Sequence, residues 1–189
     1  MKPLFRKPVK IPESIDAGPI TLLRWTVDRA DDLDQAISES LPELIPFMPW
    51  ATPDHDLAAT INYLVHSHTE WDNGVNFKYA IFTPHGDLVG ACSLMSRRGP
   101  DVYEIGYWVH SLHAGKGYAT HAALALAKTG LGQPGIDRAE IHHDVYNPAS
   151  GRVAAKAGFQ EVAPVTVKKE TPSSSGIHRV WVRRRPPLT

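Results

Sequence analysis

The spacing of apolar and polar positions changes period several times along this chain, and each change marks an element. Ile20 to Trp25 is a short apolar run after a lead-in containing Pro and Gly, and it predicts a first strand. Asp31 and Asp32 stand before apolar positions at Leu33, Ala36, Ile37 and Leu41, a spacing that predicts a helix halted near Pro42. Pro42, Pro46 and Pro49 break the stretch from Leu41 to Trp50 into short pieces. Thr52-Pro53 then predicts a helix start, with Leu57, Ile61, Leu64, Val65 and His68 on one face and an end near Glu70. From there the period drops to two. Val75, Phe77, Tyr79 and Ile81 alternate with Asn76, Lys78 and Ala80, the pattern of a half-buried strand. Turns at Thr83–Asp87 and Gly99–Asp101 lead into Leu88 to Met95 and Val102 to Val109, so three antiparallel strands follow one another.

The next segment, Tyr118 to about Leu131, is apolar nearly all round and predicts a buried helix packed on the sheet. Gly132-Gln133-Pro134-Gly135 ends it. Arg138 to Val145 reads as a fifth strand, parallel to its predecessor because a helical crossover joins them. Pro148 to Ala157 reads as a short helix stopped by Gly158, and Phe159 to Lys168 with Ile177 to Arg184 as a last hairpin. The hairpin loop, Lys169 to Gly176, is polar and Ser-rich, which predicts mobility. No repeat or domain boundary interrupts the pattern. The expected organisation is a tail over 1–17, one domain over 18–185 and a tail over 186–189.

Composition narrows the classes. The 189 residues are 42% hydrophobic, and Lys+Arg equals Asp+Glu at 20 each. A zero formal charge argues against nucleic acid as a partner, since such domains carry a basic excess. One cysteine, Cys92, allows no internal disulfide and suits a reducing cytoplasm; it reads as a core thiol. No apolar run approaches the ~18 residues of a membrane span. The segment Met1 to Pro8 is basic but lacks the apolar core of a signal peptide. His66 and His68 are two apart on a helix and cannot share a face, and no metal-ligand motif is present, so no metal is expected. Arg183-Arg184-Arg185 reads as a solvated edge.

The candidate chemistry gathers at residues 103–123. A strand, a loop containing Gly115 and Gly117, and a helix start follow one another there. Glycines let the backbone turn sharply and approach a ligand, and the first-turn amides of a helix lack intrahelical partners. Such an end binds phosphate. The phosphate loop of nucleotide hydrolases does not fit, because Gly117 follows Lys116 where Ser or Thr is needed.

Glu104-Ile105-Gly106-Tyr107-Trp108-Val109 followed by Ala114-Gly115-Lys116-Gly117-Tyr118-Ala119-Thr120, with Asn147-Pro148-Ala149-Ser150 and Val153 to Phe159 downstream, resembles the GNAT superfamily of N-acetyltransferases, in its RimJ/RimL-like branch. The resemblance implies a single-domain α+β fold: a mixed, mostly antiparallel sheet of about seven strands with helices on both faces. Strands four and five would be parallel and splayed around acetyl-CoA. It implies that Ala114, Gly115, Lys116, Gly117, Tyr118, Ala119 and Thr120 hold the pyrophosphate. Trp108 and Val109 would offer backbone groups to the pantetheine amides, and Asn147 would hold the arm from the other side. The family often has Arg or Gln where Ala114 stands, and a Tyr that protonates the thiolate where Ala154 stands. The RimL-like pattern offers Ser150 as proton donor instead.

Glu104 lies among apolar residues on a central strand, where a carboxylate needs a partner or a raised pKa; a raised pKa suits a general base. The alternative is a salt-bridged strand glutamate. Glu170 is a rival base by resemblance. His142 and His143 point to opposite faces, so at most one meets the site. Trp50 and Trp71 flank the second helix, and either could form an apolar wall. The implied function is acetyl transfer from acetyl-CoA to a primary amine, on a protein N-terminus or a small molecule, in a ternary complex. The implied setting is cytoplasmic, with homodimers common among related proteins. The competing reading is a non-catalytic acyl-CoA-binding protein of the same fold.

Overall fold

The computed structural model describes residues 10–186. Its strands are β1 (Ser14–Asp16), β2 (Thr21–Arg24), β3 (Asn76–Phe82), β4 (Leu88–Met95), β5 (Val102–Val109), β6 (Arg138–Asp144), β7 (Gln160–Thr166) and β8 (Ile177–Arg184). Its helices are α1 (Ala30–Ser38), α2 (Leu41–Leu44), α3 (Leu57–Asp72), α4 (Tyr118–Leu131) and α5 (Pro148–Lys156). The strands form one sheet in the order β1-β2-β3-β4-β5-β6-β8-β7. That is one strand more than expected. The extra one is β1, which lies inside the expected tail and pairs antiparallel with β2, Ile15 opposite Leu22. Ile11 joins the core as well. The rest of the two expected tails, 1–9 and 187–189, lies outside the described residues.

Alternation along the strands feeds two cores. On one face Leu22, Tyr79, Ile81, Leu94, Tyr103, Ile105 and Ile141 pack with Ala122, Ala123, Leu126 and Ala127 of α4 and Ala154 of α5. On the other, Trp25, Ala80, Phe82 and Ala91 meet Leu33 and Ile37 of α1, Leu44 of α2 and Leu64 of α3. The alanines of α4 let its axis sit close to the sheet. A fully buried leucine such as Leu126 contributes about 1.5–3 kcal/mol by leaving water.

Two expectations about α3 need correction. The helix starts at Leu57 rather than at Pro53, because Asp56 caps it and accepts a hydrogen bond from the Ala59 amide at 2.8 Å. Its buried face is Thr60, Leu64, Ser67 and Trp71, while Leu57, Ile61 and Val65 stay exposed. Two hydroxyls hide there without loss because each is satisfied: Thr60 donates to Asp34 at 2.9 Å and Ser67 to the Tyr63 carbonyl at 2.8 Å.

The site depends on one irregularity of the sheet. Strands β5 and β6 are parallel and pair only at Val102 with Arg138, Tyr103 with Ala139 and Glu104 with Glu140. Beyond that point β5 runs on to Val109 and β6 to Asp144 without pairing to each other. Along its other edge β6 stays paired with β8 over its whole length, from Arg138–Arg184 to Asp144–His178. The sheet therefore opens into a V.

The Ser-rich loop between β7 and β8, expected to be mobile, is pinned on both sides of this V. Thr171 donates to the Pro46 carbonyl at 2.8 Å. The Asp144 carboxylate accepts from the Ser175 amide at 2.8 Å, the Ser175 hydroxyl at 2.9 Å and the Ser174 hydroxyl at 3.2 Å. The arginine run is also less solvated than expected. Arg183 donates to the Ala157 carbonyl at the end of α5, and Arg185 to the Ile136 carbonyl, each at 2.8 Å. Among the described residues no helix is long and apolar enough to cross a membrane.

Candidate active site

The V opens into a cleft of about 810 Å³, a volume typical of small-molecule sites. Of the expected site residues, Glu104, Trp108, Val109, Ala119, Asn147 and Ser150 all line it. Ala114, Gly115, Lys116 and Gly117 form exposed backbone leading to Ala119. Tyr118 and Thr120, half-buried in the first turn of α4, do not line the cleft. Gly115 and Gly117 have φ of 78° and 85°, a left-handed conformation that favours glycine. The first bond inside α4 runs from the His121 amide to the Gly117 carbonyl, and no side chain caps the helix. The amides of Tyr118, Ala119 and Thr120 are left as donors at the positive end of a 14-residue helix.

At the opening of the V, α5 starts with its own cap. The Asn147 side-chain oxygen accepts from the Ser150 amide at 3.2 Å. The Ser150 hydroxyl is therefore not the helix cap. It lies 2.9 Å from the Tyr107 hydroxyl, which also donates to the Ser150 carbonyl at 3.2 Å. Burial pushes the Tyr107 phenol up to about 12, against the opposing effect of the Ser150 hydrogen bond. The phenol stays protonated and can pass a proton on. Ala154, where the family often has a tyrosine, is buried in the core, so this position supplies no hydroxyl.

Glu104 is buried, as expected of a central strand, but the expectation of a raised pKa fails. Its carboxylate accepts from Arg97 Nε at 2.9 Å, from a second Arg97 nitrogen and from Arg98 Nε. Burial pushes its pKa up, yet the hydrogen bonds and charges of the two arginines outweigh that and hold it below the ordinary glutamate value. Glu170 is exposed on the pinned loop and lines the cleft mouth.

The two histidines of β6 take opposite faces as alternation requires, yet both border the cleft, where at most one was expected. His143 turns to the α5 side, where its Nδ1 meets the Asp144 carbonyl at 2.8 Å and its Nε2 accepts from the Trp181 indole at 3.0 Å. Both nitrogens are taken, which makes it structural. His142 stays with Glu140, 2.7 Å from Nε2 to carboxylate. Of the two tryptophans, Trp50 is the cleft wall, tilted against Trp108 with ring centroids 6.2 Å apart. Trp71 is core, edge-on to Phe77 and Tyr79. Burial pushes the Cys92 thiol up, as suits an inert core cysteine.

Sequence reasoning passed over Tyr107, Arg97, Arg98 and Glu140. Strand alternation places Tyr107 on the same face as Tyr103 and Ile105, so its side could be read; its partner, 43 positions away, could not.

The sequence profile described as an acetyltransferase (GNAT) domain matches residues 20–160. No curated protein sequence matches the chain. Among solved structures, the microcin C7 self-immunity acetyltransferase MccE, in complex with acetyl-CoA and AMP, superposes with a TM-score of 0.84 at 21% identity, over 92% of this chain and 97% of the other. The ribosomal L7/L12 α-N-protein acetyltransferase RimL, in complex with coenzyme A, gives 0.83 at 19% identity, over 91% and 98%. Mycobacterium smegmatis RimJ, in complex with CoA-disulfide, gives 0.81 at 20% identity, over 94% and 91%. With the profile spanning most of the domain and the fold matched nearly end to end, this chain belongs to the GNAT acetyltransferase family.

Proposed function

We propose that this protein transfers an acetyl group from acetyl-CoA to a primary amine, by direct attack within a ternary complex. The observation that carries the reading is the V between β5 and β6, with a donor-rich helix start on one side and a paired Tyr107–Ser150 hydroxyl couple at its opening. The MccE and RimL structures, solved with acetyl-CoA and coenzyme A, support it.

In this reading the backbone from Ala114 to Thr120 takes the pyrophosphate, where amides and helix dipole favour negative charge. Backbone groups of Trp108 and Val109, on the end of β5 that pairs with β4 but not with β6, meet the pantetheine amides, and the Asn147 amide group holds the arm from α5. The acceptor nitrogen forms a C–N bond to the acetyl carbon while the C–S bond breaks. The departing thiolate takes the Ser150 hydroxyl proton, and the excess proton on the acceptor nitrogen passes back to Ser150 by way of the Tyr107 phenol. Glu104, held ionised by Arg97 and Arg98, fixes those two cations at the cleft rather than accepting a proton. The acceptor is a protein N-terminus or a small-molecule amine, admitted beside Trp50 and under the pinned loop. The setting is cytoplasmic, and a homodimer is compatible with the fold.

Two measurements test this. Thiol release from acetyl-CoA is followed across a panel of primary amines: a short peptide with a free N-terminus, an amino sugar and a polyamine. Turnover on at least one is expected. Binding of acetyl-CoA with no turnover on any favours the non-catalytic acyl-CoA-binding alternative. Separately, acetyl-CoA is expected to raise the melting temperature, since a ligand that binds only the folded state stabilises it. Gly117→Val, which places a β-branched residue at φ 85°, should abolish that rise. An undiminished rise would remove the loop from the site.

A further inference from the structure

The opposite face of β6 carries a polar chain that the transfer step as described leaves unused. Arg138, Glu140 and His142 project from the same side of the strand, two residues apart. Arg138 donates to Asp101 at 3.0 Å and through Nε to Glu140 at 2.6 Å. The other Glu140 oxygen lies 2.7 Å from His142 Nε2. The His142 side chain is only 6% exposed, and its remaining nitrogen, Nδ1, is buried and has no hydrogen-bond partner among the described residues. A buried imidazole nitrogen left bare in a cleft wall is unusual, because such groups are nearly always satisfied.

In the neutral imidazole, the carboxylate decides which nitrogen holds the proton. An ionised carboxylate only accepts, so His142 Nε2 must donate to Glu140. The lone pair is then on Nδ1, and Arg138 keeps Glu140 ionised by direct hydrogen bonding. His142 lines the same cleft as Trp108, Ser150 and Glu104. It shares its sheet face with Glu104, which pairs in register with Glu140. Glu104 cannot compete for the proton, because its oxygens are occupied by two guanidinium groups.

We propose that His142, oriented by Glu140, is the proton acceptor for the attacking amine, a role that rests on the transferase reading above. The acceptor enters as an ammonium ion and gives one proton to Nδ1. Its freed lone pair forms the C–N bond, the C–S bond breaks, and the nitrogen's excess proton leaves with the thiolate by way of Ser150. His142 returns its proton to water when the products depart. Glu140 is a positioning residue: it touches no substrate and fixes the tautomer. Glu140 bonds His142 directly on its own strand and Arg138 stands behind Glu140, while His178 acts on it from β8; His178 in turn has Asp144, Arg98 and Glu104 about it.

The test uses the full chain and whichever panel amine the wild type acetylates best. His142→Gln keeps a donor toward Glu140 and removes the base. Its turnover at pH 7 should fall by ~10²–10⁴-fold, the usual worth of a positioned general base, with the acetyl-CoA KM unchanged. The loss should shrink as pH rises and the amine loses its proton unaided. Glu140→Gln should cost less and should alter the acid limb of the pH profile. The acetyl-CoA melting shift reports whether each variant is folded. Imidazole nitrogen NMR of the wild type gives an independent reading, with Nε2–H and bare Nδ1 expected. Wild-type turnover in His142→Gln, its loss in His178→Gln instead, or a proton found on Nδ1 would each overturn the proposal while leaving the transferase reading standing. A wild type that acetylates nothing overturns both.

Discussion

At the scale of single residues, the hydroxyl couple at the cleft joins side chains 43 positions apart, whereas His142 finds Glu140 two residues away on its own strand. The Ser150 hydroxyl could have capped its own helix, yet Asn147 takes that duty and frees it for Tyr107. Ser150→Ala removes the proposed proton donor and leaves Tyr107 hydrogen-bonded to the residue-150 carbonyl. Thioester sulfur departs easily, so kcat should fall by only about 10²-fold, the low end for a positioned acid, with binding of acetyl-CoA retained. Tyr107→Phe should cost less, because the serine hydroxyl survives. Steady-state kinetics on both variants checks this; a kcat equal to wild type in Ser150→Ala would return that serine to a structural role.

At the scale of elements, local pattern along the chain foretells most of the framework. Strands β4, β5 and β8 and helix α4 have the expected bounds, because local period and flanking turn residues suffice to set them. The exceptions have physical causes. The start of α3 was set by the Asp56 cap, not by the proline, and its buried stripe includes two satisfied hydroxyls that hydropathy counts as polar. The contact of β4 with β5 is unusually tight at Gly90, where φ is 152° and a Cβ would sit 2.2 Å from the Trp108 carbonyl oxygen. Backbone cannot yield as a flexible side chain does. Gly90→Ala should therefore destabilise the fold by about 1–3 kcal/mol, the range for overpacking. In a protein of this size that lowers the melting temperature by roughly 2–12 °C. Because the same carbonyl belongs to the proposed pantetheine strand, acetyl-CoA should also protect Gly90→Ala less than the wild type. An unchanged melting temperature would contradict the geometry.

At the scale of the whole molecule, several ionisable groups buried around the cleft tie stability to pH. His143 and His178 have pKa values lowered chiefly by burial, so the folded state binds protons less readily than the unfolded chain. Their contribution is present above the unfolded imidazole value of ~6.5 and is lost as pH falls below it. Burial pushes Glu104, Glu140 and Asp144 up, but hydrogen bonds and neighbouring cations or amides prevail and hold all three low. Their contribution is present above the unfolded carboxylate range of ~3.9–4.3 and disappears as pH falls through the lower folded values. Melting temperature measured from pH 8 to pH 3 should thus decline in two stages, gently through the imidazole range and steeply below about pH 4. A flat profile down to pH 4 would mean that neither histidine is neutral by burial.

What the sequence determined by itself is everything that depends on neighbours along the chain. Period-two runs produced strands, the apolar 118–131 stretch produced a buried helix, and Gly115 and Gly117 produced the left-handed turn into it. The resemblance to acetyltransferases, carried by two short motifs, placed six of the twelve expected site residues directly on one cleft. The tertiary structure alone decided what each polar side chain meets. Glu104 could have been a raised-pKa base or half of an ion pair; two arginines from the preceding turn decided for the pair. His142 and His143 were separated only when β8 packed against β6: the Asp144 carbonyl and the Trp181 indole engage both nitrogens of His143, while Glu140 engages a single nitrogen of His142. Residues 10–17 read as a tail until β2 gave them an edge to pair with. Periodicity reports which face a side chain takes; the partner on that face comes from another part of the chain, and only folding brings the two together.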